Sequence, residues 1–244
     1  MQNPAISVLG QTALLQDVAG ETLGRLVSGA FLQHFPTDIV IQQQDVRPDF
    51  LHLVVSGTVE LLRDEGDALA TVDVIAAGGL FVSSAVVADS PTLVSAVTLG
   101  PSVIAFIPAA RVRDALATDP LLGMALLRAL ASDMRGRDRD LAEMKALTAG
   151  QRLGRWVLRE QGRIGLPHFP LPYAKRVLAT LLGMSPENLS RSSSALVAHG
   201  VRFKGRMVEV TDAVALDLYS RRRPKSPDGG AGPPGIAPQA SPGS

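Results

Sequence analysis

Apolar residues along this chain follow two different periods. From Thr37 to about Ile107 they come in short β-prone runs: Ile39-Val40-Ile41, Phe50 to Val55, Val59 to Leu62, Leu69 to Ile75, Thr92 to Thr98 and Val103 to Ile107. Turn residues separate the runs: Arg47-Pro48-Asp49, Ser56-Gly57, Asp64-Glu65-Gly66-Asp67, Gly78-Gly79 and Ser90-Pro91. Strands at this spacing predict an antiparallel sandwich or barrel. Before them, Leu23, Leu26, Val27, Ala30 and Phe31 recur at helical spacing and predict a short helix. After them, Pro108 to Ala117 predicts another. Asp119 then reads as an N-cap, with Pro120 at the first position of a helix running to about Leu147. Along that helix Leu127, Leu130, Met134, Leu141 and Met144 form a heptad seam, interrupted at Arg137. A narrow seam on a long helix predicts a homodimer. The alternative is that the helix packs wholly on its own barrel. The charges of Arg135 to Asp140 read as a solvated face.

The helical period continues beyond a break at Thr148-Ala149-Gly150, which reads as a hinge. Gln151 to Gln161 is amphipathic, with Leu153, Trp156 and Val157 inward and Arg152, Arg155 and Arg159 outward. A Pro-rich loop, Leu166 to Pro172, leads to a helix from Ala174 to Leu182 that buries Val177, Leu178, Leu181 and Leu182. Gly183-Met184-Ser185 is a tight turn, with Ser185 as N-cap and Pro186 at the first helical position. On the helix that follows, Glu187, Ser190, Arg191 and Ser194 share one face, while Leu189 and Leu196 point away. This is the helix-turn-helix layout. Arg191 can take guanine O6 and N7, Glu187 can accept from cytosine N4, and Ser190 can serve either edge. Ser185 and Ser194 are further candidates for contact with the DNA backbone. Lys204-Gly205-Arg206 then turns between two short β-runs. A basic hairpin behind such a helix makes it winged, with Lys204 and Arg206 near phosphates. The competing reading of the whole stretch is a helical hairpin with a solvated face. Asp212 to Tyr219 closes as a short helix, and residues 224–244 have a disordered composition.

Charge sharpens this picture. The 244 residues carry a net +1. Residues 1–148 hold 10 basic against 17 acidic side chains, and residues 149–223 hold 13 against 5. A basic unit joined to an acidic one places the polyanion partner, double-stranded DNA, on the second half. The chain contains no cysteine, which excludes disulfides, thiolate zinc sites and cysteine-ligated iron–sulfur clusters. No apolar run reaches the length of a membrane span, and no secretory signal opens the chain, so a cytoplasmic protein without a membrane partner is expected. No nucleophile–base pair, metal-spaced set or phosphate loop is found, so no enzyme and no metal site are expected.

Barrel, long helix and winged helix-turn-helix, in this order, resemble the CRP/FNR family of bacterial transcription regulators. The resemblance covers about residues 20 to 220. Its most specific part is LPYAKRVLATLLGMSPENLSR, in which Glu187, Ser190 and Arg191 match the FNR branch's ExxSR reading triplet. VSGTVEL, Val55 to Leu61, is similar to the family's barrel motif, and Gly78 to Phe81 is similar to the start of its ligand loop. The resemblance implies an α+β fold: a cyclic-nucleotide-binding-like antiparallel barrel (1–118), a dimerisation helix (119–148), a winged helix-turn-helix (149–223) and a disordered tail (224–244). It implies a homodimer on an inverted repeat of FNR-like half-sites similar to TTGAT, with RNA polymerase as a further partner.

The departures from the family pattern bear on the effector. Cyclic-nucleotide-binding members follow the ligand loop with a glutamate for the ribose and an arginine for the phosphate. This chain has Phe81-Val82-Ser83-Ser84-Ala85 and Ser90-Pro91-Thr92-Leu93-Val94-Ser95 at those places. A phosphate there lacks its cation, so cyclic nucleotide binding in the familiar mode is not expected. Haem or nitric oxide sensing, another small molecule, or no ligand remain. For haem, the axial-ligand candidates are His34, placed at the end of an early helix, and His52, within a β-run. A barrel that serves only protein–protein contact, or ligand-independent DNA binding, is the alternative. Ser192 and Ser193 stand where the family has apolar residues and are expected to weaken the seating of the reading helix.

Overall fold

The computed structural model describes residue 18, residues 20–66 and residues 68–221; the tail expected to be disordered lies outside the described residues. The first half is an antiparallel barrel of two four-stranded sheets. One runs β1 (Phe31–Phe35), β8 (Ser102–Pro108), β3 (Phe50–Ser56), β6 (Leu80–Phe81). The other runs β2 (Val40–Gln42), β7 (Ser95–Thr98), β4 (Thr58–Asp64), β5 (Leu69–Ala76). All six expected runs form strands, although β7 starts late. The Thr92 hydroxyl donates to Val94 O and accepts from Val94 N, a local turn that keeps those residues out of the ladder. Val54, Val59, Ile104 and Ala105 are fully buried between the sheets.

The expected early helix is shorter than its pattern. Helix α1 covers Gly20–Val27, and Gly29, at φ 90°, turns the chain out of it. Phe31 instead opens β1 opposite Phe106, with the two rings stacked at 5.0 Å. His34 consequently lies on β1, exposed, and not at a helix end.

His52 on β3 is 2% exposed, stacked on Phe81 at 4.7 Å and edge-on to Phe106 at 4.8 Å. Burial pushes its imidazole from 6.5 down to about 4, and its Nδ1 has no hydrogen-bond partner among the described residues. The unfolded chain binds more protons between those values, so stability rises with pH across that window and is lost on acidification through it. Urea unfolding of the wild type should lose about 2–3 kcal/mol between pH 7.5 and 4.5 through this one group. His52→Phe keeps the ring contacts and should remove that part of the slope; an unchanged slope would contradict the assignment.

Beyond α2 (Ser83–Ala88) and α3 (Ala109–Thr118), Asp119 caps the long helix α4 (Pro120–Ala146), its carboxylate accepting from Leu121 N and Leu122 N. Leu122 seats α4 in the barrel core, and Leu126 one turn later is also buried. The break after it comes earlier than expected. Thr148 and Gln151 form a capping box, so Ala149 and Gly150 belong to α5 (Ala149–Ile164) and only Leu147-Thr148 are extended. The arginines expected to face outward on α5 are tied down instead. Arg155 and Arg159 reach Glu143, 6% exposed, at 3.3 and 2.9 Å. Arg152 donates to the carbonyls of Leu147, Leu182 and Gly183. These contacts fix α5 to α4 and to the turn of the helix-turn-helix.

The second core gathers Leu153, Leu178, Leu196, Val201, Val208 and Leu216, all fully buried. It joins α5, α6 (Lys175–Leu181), α7 (Pro186–Ala195), a 3-10 turn (Leu196–His199), β10 (Val201–Lys204), β11 (Met207–Val210) and α8 (Ala213–Arg221). The stretch read as a Pro-rich loop supplies a third wing strand, β9 (His168–Pro170), paired with β11. It is an edge strand, where Pro170 costs no ladder bond, and Phe169, 1% exposed, anchors it. Two prolines around three residues hide such a strand from periodicity.

Candidate nucleic-acid interface and barrel cavity

The reading helix is built as a rigid platform. Gly183 takes φ 60° in the turn, and Ser185 accepts from Asn188 N at 3.3 Å with Pro186 behind it. Leu189 and Leu196 anchor the inner face. The opposite face leaves Glu187, Ser190, Arg191 and Ser194 exposed together. The Arg191 guanidinium donates to Asn188 Oδ1, one turn earlier on the same helix, at 3.0 Å. The Ser185 hydroxyl, with the backbone N–H of Glu187, holds the Glu187 carboxyl below its ordinary range. It is therefore ionised and an acceptor only, as a cytosine N4 donor requires.

The two unusual serines sit differently. Ser192 is buried, while the Ser193 hydroxyl donates to Ser190 O at 2.8 Å. Ser193 borders a hollow of about 190 Å³ with Leu178, Leu189 and Phe203. An apolar side chain there would fill space that serine leaves open.

In the wing, Gly205 at φ 60° opens a two-residue turn closed by the Lys204–Met207 pair. Lys204 reaches Glu209 at 3.1 Å; both are exposed, so a phosphate can displace the contact at little cost. Arg206 is exposed and donates to Leu171 O. Arg202 was missed as a further cation. The alternation Val201 buried, Arg202 exposed, Phe203 half-buried, Lys204 exposed puts it on the same outer side as Lys204.

On α4, Leu127, Met134, Leu141 and Met144 are 44–65% exposed, and Leu121 and Met124 add to them. Leu130 is half-buried, and Met144 also lies over Gly183 of its own chain. Leu130 and Met134 reach the rim of a barrel cavity of about 450 Å³. Its walls are β4 and β5 (Leu61, Asp73, Ile75), the ligand-loop residues Leu80 to Ala85, and Ser90 to Val94. Asp73, Asp133 and Arg137 are its charged lining groups, all three unanticipated. Arg137 belongs to the segment read as solvated; its interruption of the apolar seam was the available signal. Partial burial raises the Asp133 carboxyl, and Asp73 adds to the shift against Arg137. Val82, at φ 56°, is a β-branched residue held left-handed at the cavity wall, a strain of about 1–3 kcal/mol. Neither His34 nor His52 lines the cavity. Among the described residues no group of three or more His, Asp or Glu side chains is placed to hold a metal ion, and no single helix is long and apolar enough to cross a membrane.

Two stretches match known domain families. Residues 32–119 match the cyclic nucleotide-binding domain, and residues 151–219 match the Crp-like helix-turn-helix domain. The chain belongs to the CRP/FNR family. A regulatory protein of Silicibacter pomeroyi DSS-3, to which cAMP binding is ascribed, is similar over 89% of this chain and 98% of its own, at 26% identity and a TM-score of 0.61. FixK2 from Bradyrhizobium japonicum shares the fold over 78% of this chain and 96% of its own (19% identity, TM-score 0.70). A CooA variant from Carboxydothermus hydrogenoformans does so over 90% and 96% (15% identity, TM-score 0.70). No curated protein matches the sequence. As a CRP/FNR-family member the chain is a DNA-binding transcription regulator, with a cyclic-nucleotide-binding-type barrel ahead of its reading domain.

Proposed function

We propose that the protein acts as a homodimer, reads an inverted-repeat operator with Glu187, Ser190 and Arg191, and is controlled by a small effector in the barrel cavity. The observation that carries the reading is the face of α7, where these side chains stand exposed on a helix seated by Leu189 and Leu196. Ser185, Ser194, Lys204 and Arg206 are the phosphate contacts of this proposal. The exposed apolar side chains of α4 support the dimer. An anisotropy titration with a duplex carrying two inverted TTGAT half-sites tests the reading. Saturable binding, lost on scrambling both half-sites, is expected; equal affinity for the scrambled duplex would overturn it.

The effector is not a cyclic nucleotide held by its phosphate. The loop segments that carry the acid and the arginine elsewhere are here Ser83-Ser84-Ala85 and Thr92-Leu93-Val94, and they line the cavity. Arg137 is exposed on α4, four residues from Asp133, and offers no buried clamp. Calorimetry with cAMP and cGMP should therefore give no saturable heat at micromolar concentrations. A micromolar dissociation constant would contradict this. Haem ligation by histidine draws no support from the cavity lining.

A further inference from the structure

Strands β4 and β5 form one hairpin with two separate clients. The pairing register is Leu62 with Thr71, Leu61 with Asp73, and Glu60 with Val74, which leaves Val72 as an extra residue. This bulge resets the alternation. Leu61, Asp73 and Ile75 face the cavity. Glu60, Thr71 and Val74 face the other way, and there the reading domain docks. Val74 packs against the second core, and Thr71 and Glu60 meet α6.

The contact with α6 is a directed polar chain. The Thr71 hydroxyl donates to Glu60 Oε1 at 2.5 Å. With the Thr71 proton on Glu60, Thr180 is the donor available to the 2.6 Å contact between Thr71 Oγ1 and Thr180 Oγ1, and that contact competes with the Arg176 and Val177 carbonyls at 3.1 Å for the Thr180 proton. Arg176, one turn before Thr180 on α6, sits 4.0 Å from Glu60 Oε2. Glu60 is 2% exposed; its carboxylate is hydrogen-bonded by Thr71 of its own hairpin and paired from the reading domain by Arg176. Such a contact can open. Water replaces the hydroxyl bonds, and an uncovered Glu60 is solvated rather than stranded.

We propose that the β4–β5 hairpin couples the cavity to the reading helix through a latch, in which Glu60 and Thr71 on the barrel hold Thr180 and Arg176 of α6. An occupant pressing on Leu61, Asp73 or Ile75 moves the strands that carry Glu60 and Thr71. The latch then passes that movement to α6, and through the Gly183 turn to α7. The inference rests on the regulator reading above for its output and on the structure alone for the latch.

Two measurements test it, and they fail separately. The chain has no cysteine, so Leu69→Cys and Val214→Cys, both at exposed positions, place a clean pair of spin labels on barrel and reading domain. With unlabelled chain in excess, one narrow distance is expected. Thr180→Val and Glu60→Gln should broaden it, and a distribution equally narrow in both variants overturns the latch. The second measurement is operator affinity of the full chain for the duplex with inverted TTGAT half-sites. The cavity variants Ile75→Trp and Asp73→Ala should each shift it at least about fivefold in the parent and less than about twofold in the Thr180→Val background. Equal shifts in both backgrounds, or none in the parent, overturn the coupling. A parent chain that binds no duplex sinks the regulator reading, while the label distances still judge the latch.

Discussion

Leu127→Asp is expected to give a folded monomer that no longer holds a two-half-site operator. Leu127 is 60% exposed on α4, so a carboxylate there costs the single chain little. In a dimer built on this face, the same carboxylate meets its own copy in an apolar seam, where an unpaired charge is strongly disfavoured. Two half-site contacts on one dimer reinforce each other through effective concentration. Their separation should weaken operator binding by about 10²- to 10⁴-fold while half-site affinity stays as it was. Leu127 is a sharper probe than Leu130, which also lines the cavity. Sedimentation velocity and melting of the same sample check the prediction. An unaltered dimer would move the interface off this face, and a chain that fails to melt cooperatively would mean that Leu127 is needed for folding.

Arg191→Ala should remove the guanine contact. A bidentate Arg–guanine pair discriminates by about 1–3 kcal/mol, and the dimer makes it twice. Two half-sites together should therefore lose about 2–6 kcal/mol on the preferred operator, with little change on scrambled DNA. Lys204→Ala supplies the contrast. Lys204 stands exposed on the wing and is a phosphate contact of the proposal, so its loss should weaken every sequence alike and reduce the salt slope by about one. Reading and anchoring are thus separated by two single substitutions on neighbouring elements.

The six barrel runs and the reading helix were legible because each has a strong local signature. Alternation, turn residues between runs, and the Ser185-Pro186 start are all short-range. Strand β1 was not legible: Phe31 continues a helical spacing from Leu23 to Val27, and only its pairing with Phe106 across the barrel decides the matter. Strand β9 was masked by its prolines and exists because β11 offers it an edge. The arginines of α5 look like a solvated face until the fold brings Glu143 beneath them. The same holds at the cavity. Its serines and apolar residues could be read along the ligand loop, whereas Asp73, Asp133 and Arg137 reach it from another strand and another helix. The Glu60–Thr71–Thr180 chain joins residues 109 positions apart, and no periodicity contains it.

The central claim is that α7 reads bases. Selection from a library of duplexes with randomised inverted half-sites, run side by side on the wild type, Arg191→Ala and Lys204→Ala, tests it most directly. The account predicts a strong half-site preference for the wild type, the same preference at lower affinity for Lys204→Ala, and a relaxed guanine position for Arg191→Ala. An Arg191→Ala protein that keeps the wild-type preference at every position would contradict it.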